Sequence, residues 1–262
     1  MPQRVVVLDA GELDSALAVG VVPIGAAVAT LDGSVPGYLS ARATGIARIG
    51  SSAQPNLEAI VRLAPDLILG SRVRHRAIYD RLSRIAPTVF TETVGVTWKA
   101  NLRLHAAALG RCAEAERLLG TYEARIAAFR TAMGDRLRST RVSVVRSMPG
   151  HVRLYMRASF IGTILEDAGL PRPEPQDHAR FARRAGLERI PDMDGDVVFV
   201  MYYGDAAGSP LATMMAHPLW GRLDAVRRGR VYEVPDDTWA LGVGVLAAER
   251  VVEDLFRYLV AD

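Results

Sequence analysis

RCAEAERLLGTYEARIAAFRTAMGDRLRST, residues Arg111–Thr140, is the stretch that decides the architecture. Leu118, Leu119, Tyr122, Ile126, Phe129, Met133 and Leu137 recur at steps of three and four, the repeat of one helical face. Glu114, Glu116, Arg117, Glu123, Arg125, Arg130 and Arg136 fill the solvated face between them. Gly120 costs the helix about 1 kcal/mol relative to alanine, and nothing else interrupts it. About 25 helical residues would be roughly 37 Å long, more than the width of one small domain. The spacing predicts a rigid helix over 111–140 joining an N-terminal lobe, 1–110, to a C-terminal lobe, 141–262. A cleft is expected between lobes that move little.

Outward from this helix, both flanks alternate strands with helices. Before it, strands are predicted at Arg4–Leu8, Val21–Ala26, Ile46–Ile49, Leu67–Leu69 and Thr88–Phe90. Helices are expected at Asp14–Val19, Leu57–Leu63 with Asn56 as N-cap, Ala77–Ile85, and Trp98–Leu109 closed by Gly110. After it come strands at Arg141–Arg146, Val152–Tyr155, Val197–Tyr202 and Val231–Val234. The helices there are Phe160–Ala168, Gly186–Ile190, a start at Pro210–Met215, and Leu246–Leu259. This alternation implies an α/β fold with mainly parallel sheets in each lobe, and binding residues where strands end and loops begin. The lobes also echo each other: NLEAIVRLAPDLILG at 56–70 is matched in pattern by GLERIPDMDGDVVFV at 186–200.

Bulk properties narrow the function. With 262 residues, 50% of them hydrophobic and 23% charged, the chain has room for two cores of ordinary globular composition. A net charge of +3, with no basic tract interleaved with aromatics, excludes a nucleic-acid partner. Lys99 is the sole lysine, so arginine supplies nearly all positive charge. The single cysteine, Cys112, excludes an internal disulfide and a cysteine-based metal site, and is expected to be buried or half-buried. No apolar run reaches the ~18 residues of a membrane span.

Motifs of catalysis are absent: no phosphate loop, no dinucleotide fingerprint, no nucleophile elbow. The five histidines, His75, His105, His151, His178 and His217, lack metal-ligand spacing, so no metal site and no cofactor are expected. Asp236 and Asp237 read as a solvated turn. What remains is a set of arginines and aromatics at predicted strand ends. Arg146 ends one strand, Arg153 and Tyr155 share a face of the next, and Ser159 opens the following helix. Arg72 and Arg74 follow the strand at Leu67–Leu69, and Trp98, Tyr203 and Trp239 lie in loops or at helix starts. Arginine donors with aromatic walls suit a bulky ligand rich in carbonyl oxygens.

Four segments extend this reading: VVVLDAGELDSALAVGVVPIGA, NLEAIVRLAPDLILGS, YDRLSRIAPTVFTE and VSVVRSMPGHVRLYMRASFIGTILEDAGLPRP. In order along the whole chain, they resemble the iron–siderophore substrate-binding proteins of ABC importers, most of all actinobacterial binders of ferrioxamine-type hydroxamates. The resemblance implies two α/β lobes bridged by one helix, no enzymatic activity, and a monomer. It implies a ferric hydroxamate ligand that holds its own iron, and an ABC permease as partner. Arg146, Arg153 and Tyr155 match the region that contacts siderophore, with Trp98 and Trp239 in cleft-facing segments. Glu58 and Glu188 match the glutamates, one per lobe, that dock onto permease arginines. It further implies an exported lipoprotein whose signal and anchor cysteine are trimmed from this chain. Other iron chelates, haem and cobalamin are the alternative ligands; a bare divalent metal binder and a two-domain transferase are the alternative classes.

Overall fold

The computed structural model describes residues 1–260 and resolves two compact units, 1–123 with 240–250 and 124–239 with 251–260. The boundary therefore falls inside the long helix instead of at its ends.

In the first unit the β-branched run at the N-terminus forms β1 (Val5–Val7), buried throughout and central in its sheet. β2 (Gly25–Val28), β3 (Ala47–Ser51), β4 (Gln54–Pro55), β5 (Leu67–Ser71) and β6 (Thr88–Thr91) complete the order β4-β3-β2-β1-β5-β6. Only the short β3–β4 pair is antiparallel. α1 (Ala10–Ala18) starts earlier than predicted because Asp9, fully extended, caps it with its carboxylate. α2 (Leu57–Leu63) matches its predicted span, with the Ala59 N–H donating to Asn56 Oδ1 at 3.0 Å. The helix predicted at Ala77–Ile85 is instead α3 (Arg72–His75), a 3₁₀ turn and α4 (Tyr79–Ser83). α5 (Trp98–Leu109) ends as predicted at Gly110, whose φ of 68° is the left-handed conformation glycine tolerates best. Val6, Leu8, Ile49, Ile60, Ile68 and Leu82 form the core between sheet and helices.

α6 (Cys112–Met133) is the long helix, about 33 Å at 1.5 Å per residue. It is shorter than predicted because the chain tightens into a 3₁₀ helix over Gly134–Ser139. Its apolar stripe is buried as the periodicity requires, but Cys112 is exposed, not buried.

The second unit holds β7 (Val142–Met148), β8 (His151–Tyr155), β9 (Ala182–Ala185), β10 (Val197–Tyr202) and β11 (Val231–Glu233), in the order β11-β10-β7-β8-β9. β7, β10 and β11 are parallel, whereas β8 and β9 run antiparallel beside them. α7 (Phe160–Ala168) matches its prediction, with Ser159 as N-cap and Gly169 as C-cap. α8 (Pro210–Met215), α9 (Asp224–Arg227) and α10 (Asp236–Trp239) surround the sheet. The predicted helix at Gly186–Ile190 is a 3₁₀ helix over Leu187–Met193, since Pro191 has no N–H for an α-helical bond. α11 (Val245–Leu259) closes the described chain. Its first N–H groups, from Leu246 and Ala247, donate to the buried Asp14 carboxylate at 3.0 Å each. A Cβ at Gly244 would lie within 2.5 Å of Asp14, so this approach needs glycine. Among the described residues, no helix is long and apolar enough to cross a membrane.

Candidate functional site

The β7–β8 register sets Arg146 opposite Arg153, and the β8–β9 register sets Arg153 opposite Arg184. Directly paired residues project from one face of a sheet, so three arginines form a row across three strands. Like charges placed opposite one another destabilise a sheet unless anions or acceptors intervene.

The row neutralises itself only at its buried end. Arg146 is 4% exposed and grips Asp236 in bidentate fashion, Nε to Oδ1 at 2.5 Å and Nη2 to Oδ2 at 2.6 Å. Its Nη1 donates to the Tyr155 hydroxyl at 2.8 Å, and its guanidinium lies 5.0 Å from the centre of the half-buried Tyr203 ring. Asp236 was expected in a solvated turn; it is instead the half-buried first residue of α10, its side chain 10% exposed. Burial pushes its carboxyl above the ordinary aspartate range, while Arg146 pulls it back. Toward the exposed edge, Arg153 Nε donates to His151 Nε2 at 3.0 Å, which requires a neutral imidazole acceptor. Lost hydration, then Arg184 and Arg153, lower the His151 pKa and favour that neutral form. Among the described residues, no carboxylate forms an ion pair with Arg153 or Arg184. The Phe181 ring, exposed at the start of β9, packs edge-on against Tyr155.

Several expected contacts are structural here. Ser159 Oγ accepts from the Gly162 N–H and donates to the Met156 carbonyl, so the α7 cap uses it fully. Tyr155 is 2% exposed, committed to Arg146 through its hydroxyl and to Arg172 through its carbonyl. Trp98 and Trp239, expected to wall the ligand, are 1% and 0% exposed. Trp98 packs edge-on against Tyr122, while Trp239 lies on Phe199 and donates its indole N–H to Asp254 at 2.8 Å. Both large rings fill core, as their size favours.

In the first unit Arg72 and Arg74 do not act together. β5 ends at Ser71, and in the helical turn α3 residues two apart point to different sides. Arg72 pairs with Glu92 at 3.1 Å and lines a cavity of about 520 Å³ with Arg76, Tyr79 and Phe90. Arg74 pairs with the buried Asp9 at 2.6 Å and lines a second cavity, about 530 Å³, with Glu58. Beneath Arg74, burial and then Asp9 push the Glu12 carboxyl up to about 8. His75 is held neutral in shape, accepting from the Ser71 N–H through Nδ1 and donating from Nε2 to the Ser52 carbonyl.

Glu58, in the first turn of α2, and Glu188, in the 3₁₀ helix, are both exposed. Among the described residues, no group of three or more His, Cys, Asp or Glu side chains is placed to hold a metal ion. The residues missed from sequence are Asp236, His151 and Arg184. The Arg183–Arg184 pair in a polar ARRA segment gave no strand signal, and only the register of β9 puts Arg184 in the row.

Comparison with known proteins places this geometry. The periplasmic binding protein family profile matches residues 5–238. The probable siderophore-binding lipoprotein YfiY of Bacillus subtilis is 36% identical over 98% of this chain and 82% of its own. The achromobactin-binding periplasmic protein of Dickeya dadantii is 31% identical over 98% and 86%. The crystal structure of Staphylococcus aureus SirA complexed with staphyloferrin B superposes with a TM-score of 0.89 at 32% identity, covering 98% of this chain and 93% of that one. The family profile and these relatives make the chain a member of the periplasmic binding protein family, the substrate-binding proteins of transporters.

Proposed function

We propose that the chain captures a ferric siderophore outside the cytoplasmic membrane and delivers it to an ABC permease, and that the ligand is an anionic, carboxylate-bearing chelate. The observation that carries the ligand class is the arginine row: three cations on one sheet face, one of them neutralised by Asp236. Three hydroxamates balance the charge of Fe(III) and leave nothing for Arg153 and Arg184 to neutralise. A chelate that keeps free carboxylates supplies what guanidinium forks accept in pairs. The achromobactin-binding relative and the SirA–staphyloferrin B complex accord with an iron chelate. The siderophore saturates its iron, so Fe(III) is cargo and needs no ligand from the protein. Ferrioxamine-type hydroxamates are the second reading, favoured by the resemblance carried in residues 142–173.

On this reading Arg153, Arg184 and Tyr203 face the ligand, and the protein acts as a lipid-anchored monomer. The exposed Glu58 and Glu188 dock onto the permease.

Calorimetric titration with ferric citrate, ferrioxamine B, a ferric triscatecholate and haem tests the proposal. Ferric citrate-type chelates are expected to bind more tightly than ferrioxamine B, with affinity falling as salt rises. Preference for ferrioxamine B would overturn the anionic class, and no heat with any ferric siderophore would overturn the function. Calorimetry suits this chain because all three tryptophans, Trp98, Trp220 and Trp239, are buried and report packing. Changing Glu58 and Glu188 together to alanine is expected to leave binding intact and abolish uptake in cells; retained uptake would remove the docking role.

A further inference from the structure

Asp236 is a carboxylate locked onto the cationic row, and its place there asks what it does for recognition. The pair joins the end of β7 to the first residue of α10, both side chains nearly sealed from water at 5% and 10% exposure. Arg146 also holds the Tyr155 hydroxyl and lies over Tyr203, so the contact organises that end of the row. A buried pair of this kind is weak evidence for stability, since the cost of desolvating both charges nearly offsets their attraction. Its net charge is what the rest of the row experiences. With Asp236 ionised, the buried end is neutral and Arg153 and Arg184 carry the field. Without it, a third cation stands in register with Arg153.

Resting on the ligand reading above, we propose that Asp236 is a specificity-determining residue that sets how much negative charge the site accepts in a ferric chelate. It cancels Arg146 and so restrains the preference for anionic over neutral complexes. The mechanism is Coulombic: neighbours across an antiparallel pair are close enough to interact strongly through partly dehydrated surroundings. Tyr155 and Tyr203 stay in place in either charge state if a neutral side chain of the same shape replaces the acid.

The decisive quantity is a ratio, the affinity for ferric citrate divided by the affinity for ferrioxamine B, measured by calorimetry on the intact chain. Asp236→Asn is expected to raise this ratio about tenfold at low ionic strength, and added salt is expected to shrink the gain. Arg146→Gln leaves Asp236 uncompensated and is expected to lower the ratio. Asp236→Glu is expected to restore the wild-type ratio. A role limited to holding the loop would weaken both ligands in both single variants and leave the ratio unmoved; that result, or a shift of the same sign in both variants, overturns the proposal. Should Asp236→Asn fail to fold, the Arg146→Gln ratio and the charge-neutral double variant, expected to match the wild type, still decide it. Failure of the wild-type chain to bind either complex would instead overturn the function itself, so the two failures are distinguishable.

Discussion

The two units handle charge in opposite ways. Around Arg74 in the first unit, carboxylates outnumber cations: Asp9 grips the guanidinium, and Glu12 is buried beneath with its carboxyl pushed up by desolvation. Across β7–β9 in the second, cations outnumber carboxylates: of four arginines, Arg146 pairs with Asp236 and Arg183 with Asp192, while among the described residues Arg153 and Arg184 have no ion-pair partner. Arg72, the other arginine expected at a site in the first unit, is also paired, with Glu92. The lesson is that arginine at a strand end does not by itself mark a ligand contact. On the proposed reading, what marks it is a guanidinium with no carboxylate already in place, as at Arg153 and Arg184 among the described residues.

The largest expected effect tests that contrast directly. Replacing Arg153 and Arg184 together with alanine should weaken ferric citrate binding by about 3 kcal/mol or more, since hydrogen bonds to charged groups contribute roughly 1.5–3 kcal/mol each. Neither side chain supports the core, so the melting temperature should change little. Unchanged affinity in the folded variant would move the site away from the row.

The acid-rich unit should reveal itself through pH. The Glu12 carboxyl titrates near 8 in the folded chain against an ordinary value of 4.5, so the folded state binds the extra proton between those values. Its stabilising share is complete below pH 4.5 and is lost as pH rises toward 8, on the order of 1 kcal/mol per pH unit in that window. Asp14, raised by burial to about 6, adds to the loss over the lower part of the same window. Glu12→Gln should flatten the decline in chemical-denaturation midpoints between about pH 5 and about pH 8. A variant that declines as steeply as the wild type would mean that Glu12 is not the source.

Much of the architecture was legible because local signals are strong there. The heptad-like stripe of α6, the Asn56 and Ser159 caps, and the glycine stops at Gly110 and Gly169 each depend on residues within one or two helical turns. The internal echo was half legible. NLEAIVRL is an α-helix, but in GLERIPDM the proline leaves only a 3₁₀ helix, and the exposed glutamate survives in both. The candidate site was less legible, because its meaning lies in pairing between distant residues. Arg146 and Asp236 stand ninety positions apart, so the sequence showed an arginine at a strand end and an acid in a turn with nothing to join them. The same holds for β9, whose polar ARRA segment becomes a strand only by pairing with β8. Trp98 and Trp239 failed for a related reason: their places in the chain were visible, but which way each ring would turn was a tertiary outcome.

The smallest expected effect is the sharpest check on the contrast. Arg72 is more than half exposed and its partner Glu92 more so, 54% and 76%, an arrangement in which an ion pair contributes less than about 1 kcal/mol. Arg72→Ala should therefore leave stability nearly unchanged. Its effect on ferric citrate affinity should also stay small, about threefold at most, because a ligand carboxylate must first displace Glu92 and gains only the difference between two similar anions. Glu92→Ala, which frees Arg72 without removing it, should then tighten binding by a similarly small factor. If Arg72→Ala instead costs as much as the loss of Arg153, pairing in the unliganded chain is no guide to which arginines recognise ligand, and the cavity that Arg72 lines with Tyr79 and Phe90 would have to be counted as a ligand contact.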